Sequence, residues 1–357
     1  MRSSNSLRWA AAACFLCLGP IALQAQSTRQ TTDDVMVRRL ANNPIVTADL
    51  SPSVGINIQG PSLIRVPDWL PNPLGRYYLY FADHKGSYIR LAYADELTGP
   101  WTIYEPGTIH LPESHFLTER AEIPDEVRRE VDLGGWAPGP VEGVPEPLDS
   151  ATKPHLASPD VHVREDRREI VMYFHGLEGF RFQRTRVATS RDGIHFEARE
   201  PLLGRSYFRV LQHDGQWYAM GMPGLFYRSR DGISDFETSE LRLFPSTMRH
   251  SALLKRGDTL YVFWSRVEDT PEHILLTKVD ISGDWSTWTA SEAESVLFPE
   301  EPWEGADRPL VPSVRDAISV RVNQVRDPAI FQEDGRTYLL YAVAGEAGIA
   351  ISEIEIR

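Results

Sequence analysis

The chain of 357 residues predicts an all-β fold, a five-bladed β-propeller built of four-stranded antiparallel blades. Three observations carry this reading. One pattern recurs five times: an apolar alternating run opens beside a small or charged residue, turns at a Gly/Asp pair and returns rich in Tyr or Phe. Successive openings in the middle of the chain are about 49 and about 43 residues apart, the length of one four-stranded blade. Most repeats then close on a tight turn followed by an aromatic residue, the signature of an outer strand. Imperfect sheet repeats of this size form radial blades, which bring one end of every inner strand to a shared axis.

Taken in order, the first repeat opens at Gly60-Pro61-Ser62-Leu63 and returns at Tyr77-Tyr78-Leu79-Tyr80-Phe81. The second opens at Ser158-Pro159-Asp160-Val161 and returns at Ile170-Val171-Met172-Tyr173-Phe174. The third runs from Tyr207-Phe208-Arg209-Val210 to Gln216-Trp217-Tyr218-Ala219-Met220, and the fourth from His250-Ser251-Ala252-Leu253 to Thr259-Leu260-Tyr261-Val262-Phe263. Asp327-Pro328-Ala329-Ile330 and Thr337-Tyr338-Leu339-Leu340-Tyr341 form the fifth. Turns at Gly99-Pro100, Asp192-Gly193, Asp231-Gly232 and Gly283-Asp284 precede or adjoin Trp101, Phe196, Phe236 and Trp285, aromatics expected between blades. The last repeat ends in an alternating strand from Ala347 to Ile356 with no outer strand behind it. Val35-Met36-Val37 can supply that strand, closing the ring and hiding an edge.

The domain plan is a signal peptide over residues 1–25 and a single propeller domain over 26–357, with rim insertions near 105–150 and 292–323. Arg2 and Arg8 before the apolar stretch Trp9 to Leu23, and small Ala25 before the cut, give the layout of a secretory leader, so the expected location is secreted or periplasmic, with no membrane attachment after cleavage. Cys14 and Cys17 both fall in the leader, leaving no disulfide or thiolate metal site beyond it. A formal charge of −13 argues against a nucleic-acid or anionic-lipid surface.

Chemistry is expected where the openings converge. Inner strands begin at this face and second strands return to it, so the residues just past each return also point inward. Asp83 with His84, His175, Arg266 and Glu346 lie past returns; His155, Asp160, Tyr207, Arg249, His250, Arg326 and Asp327 lie at or beside openings. Asp83 is placed to orient its neighbour His84, the usual device for fixing a tautomer. The arginines can hold carboxylate or sulfate groups in a forked geometry.

With its Asp-Pro-x-Ile opening at Asp327, its Asp-Gly hairpins and its Tyr-Tyr-Leu-Tyr return, the chain resembles the five-bladed propellers of glycoside hydrolase families 43, 32, 62 and 117 over about residues 45 to 357. The resemblance implies a carbohydrate substrate and polysaccharide degradation. In family 43 an Asp opening the first blade is the base, a second Asp opening the next blade orients the acid, and a Glu of the third blade is the acid. Inverting hydrolysis needs that division, with the two carboxyl groups roughly 6.5 to 9.5 Å apart. This chain departs from it: Asn57-Ile58-Gln59-Gly60 offers no base, the second opening has Ser158 and the third Tyr207 and Arg209.

The leading expectation is therefore a glycoside hydrolase, exo-acting or acting on short chains, with Asp160 or Asp327 as base and His250 or His175 as acid. The resemblance to family 117, where a histidine takes the place of the acidic Glu, supports that acid. Asp83, His84, His155, Tyr207, Arg249, Arg266, Arg326 and Glu346 are expected to bind substrate. One alternative is a polysaccharide lyase on a uronic acid, using His175, Tyr207 and Arg249; another is a non-catalytic glycan-binding propeller. No cofactor is expected. A divalent cation on the axis could find His and carboxylate ligands, although no His-x-x-x-His spacing supports it.

Overall fold

The computed structural model describes residues 29–31, 35–132 and 142–357. The expected leader, with Cys14 and Cys17, lies outside the described residues, as does 133–141 of the first expected insertion. Five antiparallel sheets form a five-bladed propeller. Blade 1 contains Gln59–Arg65, Tyr77–Ala82, Arg90–Ala94 and Thr102–Tyr104. Blade 2 contains Leu156–Arg164, Glu169–Gly179, Phe182–Ser190 and Glu197–Ala198, with Gly204–Arg205 also paired to its third strand. Blade 3 contains Arg209–His213, Gln216–Gly221, Leu225–Ser229 and Glu237–Thr238. Blade 4 contains Met248–Arg256, Thr259–Arg266, Ile274–Asp280 and Thr289–Ala290. Blade 5 contains Arg326–Glu333, Arg336–Ala342 and Gly348–Ile356. Each Tyr- or Phe-rich return is the second strand of its blade.

Its fourth strand comes from the other end of the described chain. Val35–Arg39 pairs antiparallel with Gly348–Ile356, with Val37 opposite Ile354. Arg39 fastens the closure by two hydrogen bonds to Glu304, 2.8 and 2.9 Å, and Tyr341 donates to the same carboxylate at 2.8 Å.

The core is divided among the blade interfaces. Phe196 of blade 2 meets Tyr80 of blade 1 edge to face at 5.9 Å, Trp101 is buried among side chains of blades 1 and 5, and Phe236 meets Phe208 between blades 2 and 3. Each such aromatic, once buried, contributes on the order of 1.5–3 kcal/mol by removal of apolar area from water.

The openings are where regular pairing breaks. Register slips between Gln59 and Ser62, Ala157 and Asp160, Met248 and Ser251, and Arg326 and Ala329. Gly60, Ser158, Tyr207 and Asp327 take positive φ values of 62°, 50°, 66° and 51°. A bulge with one left-handed residue re-aims the next side chain, and three of these four residues carry a Cβ at a cost on the order of 1–3 kcal/mol each.

Candidate active site

At the converging end lies a cavity of about 740 Å³. Ser158, Tyr207, Arg249 and His250 reach it from the openings, and His84, Lys85 and His175 from just past the returns. The two long connecting segments contribute Glu146 and Ser150 on one side and Arg315 and Asp316 on the other.

Asp327 sits behind this wall, fully buried, and gathers two of its members. His250 Nδ1 lies 2.9 Å from Asp327 Oδ1, and the Tyr207 hydroxyl donates to the same oxygen at 3.0 Å. The Tyr207 and His250 rings are 4.7 Å apart and tilted by 31°, and the Arg209 guanidinium lies over the Tyr207 ring at 4.5 Å. Burial lowers the pKa of His250 against the opposing pull of Asp327, so the free ring is neutral. Burial alone would raise Asp327, but His250 outweighs it and the carboxylate stays ionised. Tyr207 is pushed well above the usual phenol value by burial and then by Asp327, so it stays protonated.

His175 shares the wall, its ring 6.5 Å from that of Tyr207. Its Nδ1 is buried with no hydrogen-bond partner, and burial followed by the charges of His84 and Lys85 holds it neutral, well below the ordinary histidine range. Lys85 is itself buried. Burial lowers its pKa, opposed by Asp316, whose Oδ1 is 3.6 Å from the ammonium.

A second set of charges underlies the cavity. Arg326 bridges Glu272 at 2.9 Å and Glu346 at 3.1 Å, all three fully buried. Glu272 also holds Arg249 at 3.1 Å, and Glu346 lies 3.2 Å from His84 Nδ1. Burial would raise both carboxyls, but Arg249 and Arg326 hold Glu272 below its usual range and His84 and Arg326 do the same for Glu346.

Several expected placements are corrected. Asp160 does not line the cavity. Its Oδ2 accepts from the Val210 backbone N–H at 2.8 Å and contacts His162 Nε2 at 2.8 Å, with Arg209 at 3.7 Å from Oδ1. Ser62, two residues past the first opening as Asp160 is past the second, accepts from Val161 N–H at 2.8 Å, so both residues cap the inner strand of the next blade. Asp83 turns back to its own loop, accepting from Lys85 N–H at 2.8 Å; Glu346, and not Asp83, orients His84. Arg266 pairs with Asp269 at 2.8 Å, is 42% exposed and stands off the cavity. His155, Arg326, Glu346 and Asp327 are buried behind the wall, where direct contact with substrate is closed to them. Burial also lowers the pKa of both His175 and His250, which disfavours the expected imidazolium acid in the free site.

Glu272 was missed by sequence reasoning, although a signal existed. Glu272 and Glu346 each stand two residues before the third strand of their blade, and both converge on Arg326. Asp316 carried no such signal. Among the described residues, no group of three His, Cys, Asp or Glu side chains is arranged to hold a metal ion.

The fold is that of the five-bladed glycoside hydrolase family 43 propellers. A glycosyl hydrolase from Bacteroides ovatus matches with a TM-score of 0.55 at 11% identity, over 88% of this chain and 92% of that one. A family 43 β-xylosidase/α-arabinofuranosidase from a compost metagenome, solved with xylotriose, matches with a TM-score of 0.51 at 13% identity, over 90% and 94% of the two chains. No protein-family model matches the chain. By sequence it belongs to the family of the uncharacterized protein R118 of Acanthamoeba polyphaga mimivirus, to which it is 32% identical over 346 residues, covering 89% of this chain and 90% of the relative.

Proposed function

We propose that this chain is a carbohydrate-active enzyme, a glycoside hydrolase in which His250, held by Asp327, is the general base. The observation that carries the reading is the contact of His250 Nδ1 and the Tyr207 hydroxyl with one oxygen of Asp327, at 2.9 and 3.0 Å, in the wall of the axial cavity. Neutral His250 takes a proton from water on Nε2 as the water oxygen attacks the anomeric carbon. The bond from that carbon to the leaving oxygen breaks, and Lys85 donates a proton to the leaving oxygen. Asp327 stabilises the imidazolium and fixes its tautomer without touching substrate, as the orienting carboxylate of a catalytic triad does. Burial tunes Lys85 downward toward the range in which a general acid works best at neutral pH. The fold shared with family 43 propellers supports a sugar substrate by analogy. A volume within the range of small-ligand pockets, walled by both connecting segments, supports a short chain or a chain end.

A second reading is favoured by one observation. Neutral His175 lines the same cavity as Arg249, whose charge Glu272 already shares, and a base and a cation in one cavity suit β-elimination from a uronate. Tyr207 does not serve there as base, because its phenol stays protonated and donates to Asp327.

The test is incubation with a panel of neutral and acidic oligosaccharides, reading new reducing ends beside the ultraviolet absorbance of unsaturated uronides, with H250A and K85M in parallel. Reducing ends without absorbance, abolished in both variants, are expected. Absorbance would select elimination, and neither signal would leave a binding propeller.

A further inference from the structure

Arg184 and Arg205 stand directly opposite each other on neighbouring antiparallel strands, and both line the cavity. Side chains so placed are about 5 Å apart at Cβ, and like charges there are destabilising. Among the described residues, neither has a carboxylate within ion-pair distance. Arg184 lies with its guanidinium 3.4 Å from the centroid of the Phe182 ring and donates through Nη1 to the Gln183 carbonyl at 2.9 Å, which leaves Nη2 and Nε available. Burial and then the charge of Arg205 lower its pKa, with Tyr227 and the more distant Glu178 opposing. Arg315, further round the same wall, donates to the Ser246 carbonyl at 2.8 Å and likewise meets no carboxylate.

This is unlike the arginines nearby. Arg249 and Arg326 share Glu272, Arg186 has Glu178 at 2.8 Å, and Arg209 has Asp160. Counterions are not scarce in a chain with 50 acidic and 37 basic residues. An unbalanced arginine pair on a cavity wall is costly when empty and favourable once an oxyanion lies between the two forks, because each guanidinium offers paired donors at carboxylate or sulfate spacing.

We infer that the cavity recognises a sugar bearing an oxyanion substituent, a sulfate ester or a carboxylate, held by Arg184 and Arg205. The inference rests on the carbohydrate reading of the same cavity and narrows it to acidic glycans.

The test is calorimetric titration of the full chain with galactose, galacturonic acid, a galactose sulfate and sodium sulfate. R184Q, R205Q, R205K and the exposed control R230Q are measured beside the wild type. At least one acidic sugar is expected to bind about tenfold or more tightly than galactose, and R184Q or R205Q to remove about tenfold of that affinity while galactose binding and R230Q stay unchanged. R205K, keeping the charge without the fork, should recover only part of it. Melting temperatures of R184Q and R205Q should equal or exceed that of the wild type, because a repulsion is relieved; R205K serves the same purpose if a glutamine variant fails to fold. The two acidic sugars separate sulfate from carboxylate recognition. Acidic sugars bound no better than galactose, or bound equally by R184Q and R205Q, would overturn the inference and leave the carbohydrate reading standing. Sodium sulfate bound with the same arginine dependence, while no sugar binds, would uphold the anion site and remove the carbohydrate reading.

Discussion

A Cβ atom on Gly60 would stand 2.9 Å from the Cα of Ser158, so the first two openings of the ring meet backbone to backbone. Gly60 also has a φ of 62°, which side chains rarely adopt. At Gly60 the first opening, where the resemblance leads us to expect a base, has no room for a side chain. Restoring the carboxylate as Gly60→Asp should gain no activity and should destabilise the protein by about 1–3 kcal/mol or more, measured by urea denaturation.

Asp327 and Asp160 should separate function from stability. Asp327→Asn removes the charge behind His250 and should lower kcat by about 10²–10⁴-fold with KM little changed, in steady-state assays on whichever substrate the panel identifies. Asp160→Asn should leave kcat near wild type and cost about 2 kcal/mol by chemical denaturation, through lost capping of Val210 and lost contacts with His162 and Arg209.

Arg326 neutralises two buried carboxylates at once. Arg326→Met should cost about 3–5 kcal/mol, because Glu346 and Glu272 lose the cation between them. Arg249 still partners Glu272, so a double variant that also replaces Glu346 with Gln should recover part of the loss in the same denaturation assay.

Acid should weaken the protein in two stages. His155 and His175 have folded pKa values depressed chiefly by burial, so the unfolded chain binds their protons more readily. The stability they contribute is present above about pH 6.5 and is lost as the pH falls toward their folded values. Asp327, Glu272 and Glu346 are also depressed, and their contribution is present above about pH 4 to 4.5 and lost below it. Melting temperature should decline gently below about pH 6.5 and more steeply below about pH 4, and His155→Leu should flatten the gentle stage. Activity based on neutral His250 should fall on the acid side with an apparent pKa below the ordinary histidine value, since burial lowers it.

The sequence made the ring legible because alternation and turn residues are local signals, and Val35-Met36-Val37 could be placed once the last blade was seen to lack a strand. The site was legible only in part. Tyr207, His250 and His175 line the cavity, with Asp327 buried behind it, because all four flank strand ends on the axis. Asp160 misled because a period of two tells which face of a strand a residue takes, yet not whether that face meets the channel or the neighbouring blade's backbone. Asp83 misled because proximity in sequence to His84 is no measure of direction, and its side chain turns into its own tight loop. The pairing of Arg184 with Arg205 was invisible, since it depends on a short extra strand that carries no apolar pattern.

The strand Val35–Arg39 is made early by the ribosome, yet its partner Gly348–Ile356 emerges some three hundred residues later. Until then the edge of the strand that faces this partner stays open to any other chain within reach, and Arg39 waits for Glu304. Biosynthesis thus leaves a long interval in which four blades can assemble while the circle is still open, and a chain halted shortly before Gly348 would remain in that unsealed state.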